Sequence, residues 1–81
     1  MTYSADISVM LKQGISDPQG QTIERALPAL GYDDVNDVRV GKRILLSLEA
    51  SSSDDAHAKV VDMCEKLLAN TVIESYEVSI T

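Results

Sequence analysis

Tryptophan and phenylalanine are absent from this 81-residue chain, and three tyrosines are its only aromatic residues. Any core must therefore be filled by aliphatic side chains. There is one cysteine, so no internal disulfide can form. One histidine and one cysteine cannot make a tetrahedral metal site by themselves. Basic residues are scarce: seven Lys and Arg stand against thirteen Asp and Glu, a formal charge of −6. That balance excludes nucleic acid as an expected partner, because phosphate binding needs a basic surface. It also argues against an anionic membrane face. No apolar run approaches the ~18–20 residues that cross a bilayer, and no basic segment with an apolar stretch behind it opens the chain. These absences together predict a cytoplasmic protein.

What remains is enough for one domain over residues 1–81, with no internal repeat, low-complexity tract or dividing linker. A domain this small hides only roughly 60% of its unfolded surface and is marginal alone.

The centre of the pattern is residues 35–48. Val38 and Val40 alternate with Asp37 and Arg39; Ile44, Leu46 and Leu48 alternate with Leu45 and Ser47. Period-two alternation marks strands with one buried face, so two strands around a turn at Gly41 are expected. A two-residue loop, Gly41-Lys42, would place the valines opposite the later apolar set. A three-residue loop, Gly41 to Arg43, places all five on one face, and patterning favours it.

Before this stretch, Tyr3, Ala5, Ile7, Val9 and Leu11 alternate as a first strand. Asp17 is a good N-cap, Pro18 suits the first helical position, and Ile23, Ala26, Leu27 and Leu30 form a helical stripe that Gly31 ends. Pro28 should kink or shorten that helix. After the stretch, Ser51-Ser52-Ser53-Asp54-Asp55 signals a second helix start. That helix carries Ala56, Val60, Met63, Cys64 and Leu67 on its apolar side, with Asn70 as a left-handed cap. Tyr76, Val78 and Ile80 form the inner face of a last strand. The order predicts an α+β fold: a ferredoxin-like β-α-β-β-α-β sandwich, with two helices on one face of a four-stranded antiparallel sheet. The opposite face would be mostly polar: Ser4, Asp6, Ser8, Arg39, Ser47, Glu49, Ser75 and Glu77, with Met10, Leu45 and Ile73 among them.

Convergent catalytic groups are missing. His57 sits in a first helical turn beside alanines, and Cys64 lies on an apolar stripe. Gly14, Gly20 and Gly41 form no phosphate-binding fingerprint. Asp33-Asp34 and Asp54-Asp55 read as turn and cap residues rather than cation ligands. The one local excess is Arg39, Lys42 and Arg43, three cations within five residues of an acidic chain. They read equally as a solvated turn or as contacts to a partner, and they are the partner-contact candidates. No catalytic, cofactor-binding or metal-ligating residue is assigned.

Three stretches carry a family resemblance: Leu11-Lys12-Gln13-Gly14-Ile15-Ser16-Asp17-Pro18-Gln19-Gly20, Val38-Arg39-Val40-Gly41-Lys42, and Leu67-Leu68-Ala69-Asn70-Thr71-Val72-Ile73-Glu74-Ser75-Tyr76. In this order, over essentially the full length, they resemble PurS, the small subunit of phosphoribosylformylglycinamidine synthase. Ser16, where the family usually has leucine, and Pro28 depart from the pattern. The resemblance implies a non-catalytic subunit of an ATP- and glutamine-dependent C–N ligase of de novo purine biosynthesis. It would form a homodimer or higher oligomer. It would join a glutaminase subunit to a large synthetase subunit and support ammonia transfer between them. ATP, magnesium and glutamine would be used by those partners. A small-molecule-binding regulatory domain of the ACT type is the alternative, with Gly14 in the loop such domains use. An acylphosphatase-like enzyme would need an Arg in the loop before the first helix, and residues 13–20 contain none.

Overall fold

A computed structural model describes all of residues 1–81. Three strands form one antiparallel sheet: β1 (Thr2–Leu11), β2 (Gly41–Glu49) and β3 (Glu74–Ile80), in spatial order β2-β1-β3. Two helices complete it, α1 (Pro18–Ala26) and α2 (Ser53–Met63). The expected four-stranded sheet is therefore corrected to three; the other elements come in the expected order.

The missing strand is the Val38–Val40 half of the anticipated hairpin, so neither loop register applies. Gly41 already pairs with Met10, and β2 runs antiparallel to β1 from there to Glu49 opposite Thr2. Residues 35–40 lie beyond the end of that ladder. Two of their amides go to carboxylates instead: the Val38 amide donates to Glu24 Oε1 at 3.1 Å and the Val40 amide to Asp17 Oδ2 at 2.8 Å. Asp37 adopts a left-handed conformation, φ 58°, which Asn and Asp tolerate better than other side chains. Alternation predicted a strand, but Val38, Arg39 and Val40 are all half-buried outside the sheet; a pattern cannot say whether a strand or a pair of carboxylates receives the amides.

The placement of α1 is the second correction. Only α2 packs on the sheet, across β1 and β3. Ala5, Ile7 and Val9 from β1 form the core with Val60 from α2 and Cys64 from the turn that follows it. Register puts Leu46 beside Ala5 and Ile44 beside Ile7 on this same face, but both stay half-exposed because no helix covers β2. The α1 helix lies at the sheet end where β1 stops and β2 starts. The molecule is consequently long, 51 × 25 × 14 Å, and only nine of its residues are buried.

Local signals acted largely as read. The Asp17 carboxylate accepts the Gly20 amide at 3.0 Å, with Pro18 in the first turn. The α-helix stops at Ala26 and tightens into a 3₁₀ turn, Leu27–Leu30, with Pro28 at its start, where its missing amide hydrogen leaves no gap. Gly31 then caps it at φ 97°. Ser52 caps α2 by accepting the Asp55 amide, and Asp55 reaches back to the Ser51 amide, both at 3.0 Å, a reciprocal arrangement close to a capping box.

Two readings of the second helix change. Its last turn, Cys64–Leu68, is a π turn in which the Ala69 amide donates to the Cys64 carbonyl at 3.1 Å. The wider turn shifts the apolar stripe by one residue. Leu68 therefore packs against the core and Leu67 turns outward, 83% exposed. Asn70 is not left-handed; its side chain accepts the Val72 amide at 3.2 Å, and its carbonyl accepts those of Ile73 and Glu74.

Candidate functional site: a carboxylate clamp and an assembly surface

Asp17 is the convergence point of the α1 end of the molecule. Its side chain is nearly buried, yet both oxygens are used. One accepts the Gly20 amide and caps α1; the other accepts the Val40 amide and holds the chain entering β2. Arg39 closes the arrangement. Its Nη2 donates to the carbonyls of Leu11 at 2.7 Å and Lys12 at 3.3 Å, and its Nε lies 3.7 Å from Asp17 Oδ2. The end of β1, the start of α1 and the approach to β2 are thereby tied together. Gly20 is required by the same contact: a Cβ there would run into the Val38 carbonyl oxygen and lie 2.7 Å from Asp17 Oδ2.

The three candidate cations therefore occupy three environments. Arg39 faces inward and serves the clamp; it is not on the sheet. Arg43 lies on the open sheet face and grips Asp6, Nη2 to Oδ2 at 2.6 Å and Nε to Oδ1 at 3.0 Å. Lys42 is exposed, pairs in register with Val9, and forms neither an ion pair nor a side-chain hydrogen bond. The structure does not bring them together as one patch. Sequence reasoning saw Asp17 as a helix cap and Asp17-Pro18-Gln19-Gly20 as part of a family motif; that Gly20 is buried against Asp17 is a feature of the fold.

The open face carries Ser4, Asp6 and Ser8 from β1 with Ser47, Glu77 and Ser79 around them. A shallow depression of about 490 Å³ lies there, lined by Asp6, Leu45 and the hydroxyls of Ser4, Ser47 and Ser79. Leu45 protrudes beside it, 64% exposed. Cys64 is sealed in the core, where burial pushes its thiol up, away from nucleophilic use. His57 is exposed on α2. No three His, Cys, Asp or Glu side chains converge to hold a metal ion.

Several carboxylates are held below their ordinary range. In Asp17 the Gly20 and Val40 amides are the main cause, with Arg39 adding to them; in Asp6 it is the Arg43 hydrogen bond, in Glu49 the Thr2 hydroxyl, in Asp55 the Ser51 amide. A carboxyl whose folded pKa lies below its unfolded value contributes stability above the unfolded value and loses it as pH falls through the folded one. Stability should therefore be flat from pH 6 to 8 and decline below about pH 4. Urea midpoints at pH 7, 5 and 3 will read this, and Asp17→Asn should flatten the acid limb. At the other extreme, the Tyr76 hydroxyl donates to Glu65 at 2.7 Å, and this bond, burial and the Glu65 charge hold its pKa up to about 12.

A small chain that leaves Leu30, Leu45, Leu67 and Val72 exposed has the surface of a chain that associates with others. Residues 4–81 match the family model described as PurS, phosphoribosylformylglycinamidine (FGAM) synthase. Subunit PurS of phosphoribosylformylglycinamidine synthase from Bacillus subtilis is 47% identical over 74 residues, 91% of this chain and 87% of that relative. The solved structure of B. subtilis PurS matches with a TM-score of 0.86 at 44% identity, covering 98% of each chain. A chain in the structure of PurLQS from Thermotoga maritima matches with a TM-score of 0.90 at 37% identity, covering 100% of this chain and 99% of that one. The chain belongs to the PurS family of phosphoribosylformylglycinamidine synthase subunits.

Proposed function

We propose that this chain is the non-catalytic small subunit of phosphoribosylformylglycinamidine synthase in the cytoplasm. It self-associates and joins a glutaminase subunit to a large synthetase subunit. The partners use glutamine, ATP and magnesium, and this chain supports ammonia transfer between their sites. The observation that carries the reading is the end-to-end match to a chain of the PurLQS assembly. The side-chain chemistry is consistent with it: Cys64 is enclosed and His57 stands alone. No observation favours the amino-acid-binding alternative.

The isolated chain should show neither glutaminase nor ligase activity. Added to the two larger subunits, it should raise glutamine-dependent synthesis much more than ammonia-dependent synthesis. An equal rise in both would remove the ammonia-transfer role. Within this reading Lys42 is the remaining free cation of the candidate cluster. Lys42→Glu should leave stability within about 0.5 kcal/mol, as exposed substitutions do. It should weaken binding to the synthetase subunit in a salt-dependent way. Unchanged affinity at both low and high salt would make Lys42 a solvated residue only.

A further inference from the structure

The connection between α2 and β3 leaves two aliphatic side chains in solvent: Leu67 is 83% exposed and Val72 80%. Two leucines in succession end the π turn over Cys64–Leu68, and only Leu68 packs against the core. Leu67 is surplus to the fold, and π turns inside helices are frequent at functional sites. The chain that follows is pinned. The Asn70 carbonyl accepts the Ile73 amide at 3.0 Å and the Glu74 amide at 2.7 Å, and the Asn70 side chain accepts the Val72 amide. From the end of β1, the Lys12 amide donates to the Ile73 carbonyl and its ammonium to the Thr71 carbonyl, both at 2.8 Å. Leu67 and Val72 are thus carried on a fixed knob, and a surface fixed beforehand loses little freedom on binding.

The charged groups around the knob already have partners within the chain. Lys66 pairs with Asp62 at 2.8 Å, Glu65 accepts the Tyr76 hydroxyl, and Glu74 accepts the Asn70 amide. A charged lining in the occupant would go unpaired, so the socket that fits is uncharged and apolar. A second copy of this chain has no such socket. Each of its three depressions has charge in the wall: Asp6 in one, Asp17, Lys42 and Glu74 in another, and Asp6, Arg43 and Glu77 in the third. The half-exposed Ile44 and Leu46 lie along a strand, where a packed layer fits rather than a turn. The knob also shares its end of the sheet with Lys42, since Glu74, at the exit of the knob, lines the same depression as Lys42. The partner assigned to Lys42 above is therefore the one within reach.

We propose that Leu67 and Val72 dock in an uncharged apolar socket on the large synthetase subunit. The proposal rests on the assembly role stated above and names its contact surface.

The test is assembly with the synthetase and glutaminase subunits, glutamine, ATP and magnesium present, for the wild-type chain and for Leu67→Ser/Val72→Ser. Both side chains are exposed, so the circular dichroism should be unchanged. The concentration for half-assembly should rise at least about 30-fold, as for two aliphatic anchors left in water. The loss should be the same at low and high salt, unlike that of Lys42→Glu. A second measurement does not depend on lost affinity. A benzophenone attached through Leu67→Cys, with Cys64 enclosed, should cross-link to the synthetase subunit on irradiation. A double variant that assembles as the wild type does, or is weakened only at low salt, overturns this docking and leaves the assembly role standing. So do cross-links confined to the glutaminase subunit or to a second copy of this chain. A wild-type chain that does not assemble with the two subunits overturns both.

Discussion

Gly20→Val is expected to cost about 2–4 kcal/mol, although glycine inside a helix is usually improved by substitution. Intrinsic propensity favours alanine over glycine in a helix by ~1 kcal/mol. Here the added Cβ meets the Val38 carbonyl oxygen and the Asp17 carboxylate. The carbonyl belongs to backbone and cannot rotate away as a side chain would, so the cost is that of overpacking a close contact, ~1–3 kcal/mol for small insertions and more for a branched one. Gly20→Ala should already be destabilising, reversing the sign that propensity alone assigns. The damage should be local. The clamp ties α1 and residues 35–40 to the end of the sheet, whereas the core is made by β1 and α2. Amide exchange in α1 and at Val38 and Val40 should accelerate about 30-fold or more, with the amides of Ile7 and Val9 much less affected. Equal acceleration in β1 would mean that the clamp and the core unfold as one unit.

Arg39→Ala should destabilise the same region by about 1–3 kcal/mol, the range for hydrogen bonds made by charged groups. The guanidinium reaches two successive carbonyls, Leu11 and Lys12, and stands beside the enclosed carboxylate of Asp17. Removing it strips Asp17 of its only nearby cation. Arg39→Lys should fall between, since an ammonium keeps the charge and lacks the planar fork. The contrast with Lys42 is the informative one. Reversing charge at position 39 should appear in stability, and reversing it at position 42 only in partner binding. Urea denaturation of both variants at pH 7, followed by titration against the synthetase subunit, separates them. Equal stability of the two variants would remove Arg39 from the clamp.

These variants also mark the limit of pattern reading. Asp17, Pro18 and Gly31 act locally on backbone groups within a few residues, so their helix signals were legible from sequence. The inner faces of β1 and β3 were legible for a similar reason: alternation records which side is buried, and α2 buries it. The Val38–Val40 stretch shows the same alternation, but its amides go to Glu24 and Asp17, 14 and 23 residues away. A period of two carries no information on the acceptor. Leu67 was misplaced because a π turn, closed by the Ala69 amide on the Cys64 carbonyl, adds a residue to the period.

The basic cluster divides along the same line. Sequence alone established that three cations stand close together in an acidic chain, and the three motif stretches carried the resemblance to the family. Only the fold decided that Arg39 turns inward to carbonyls, that Arg43 is taken by Asp6 and that Lys42 stays free. Sequence alone also determined that one face of the first helix is apolar, since that depends only on spacing along a helix. Whether a sheet lies under that face depends on where the helix is fastened. A buried carboxylate, a glycine without a Cβ and an arginine fork, brought together from distant parts of the chain, set that point at the end of the sheet.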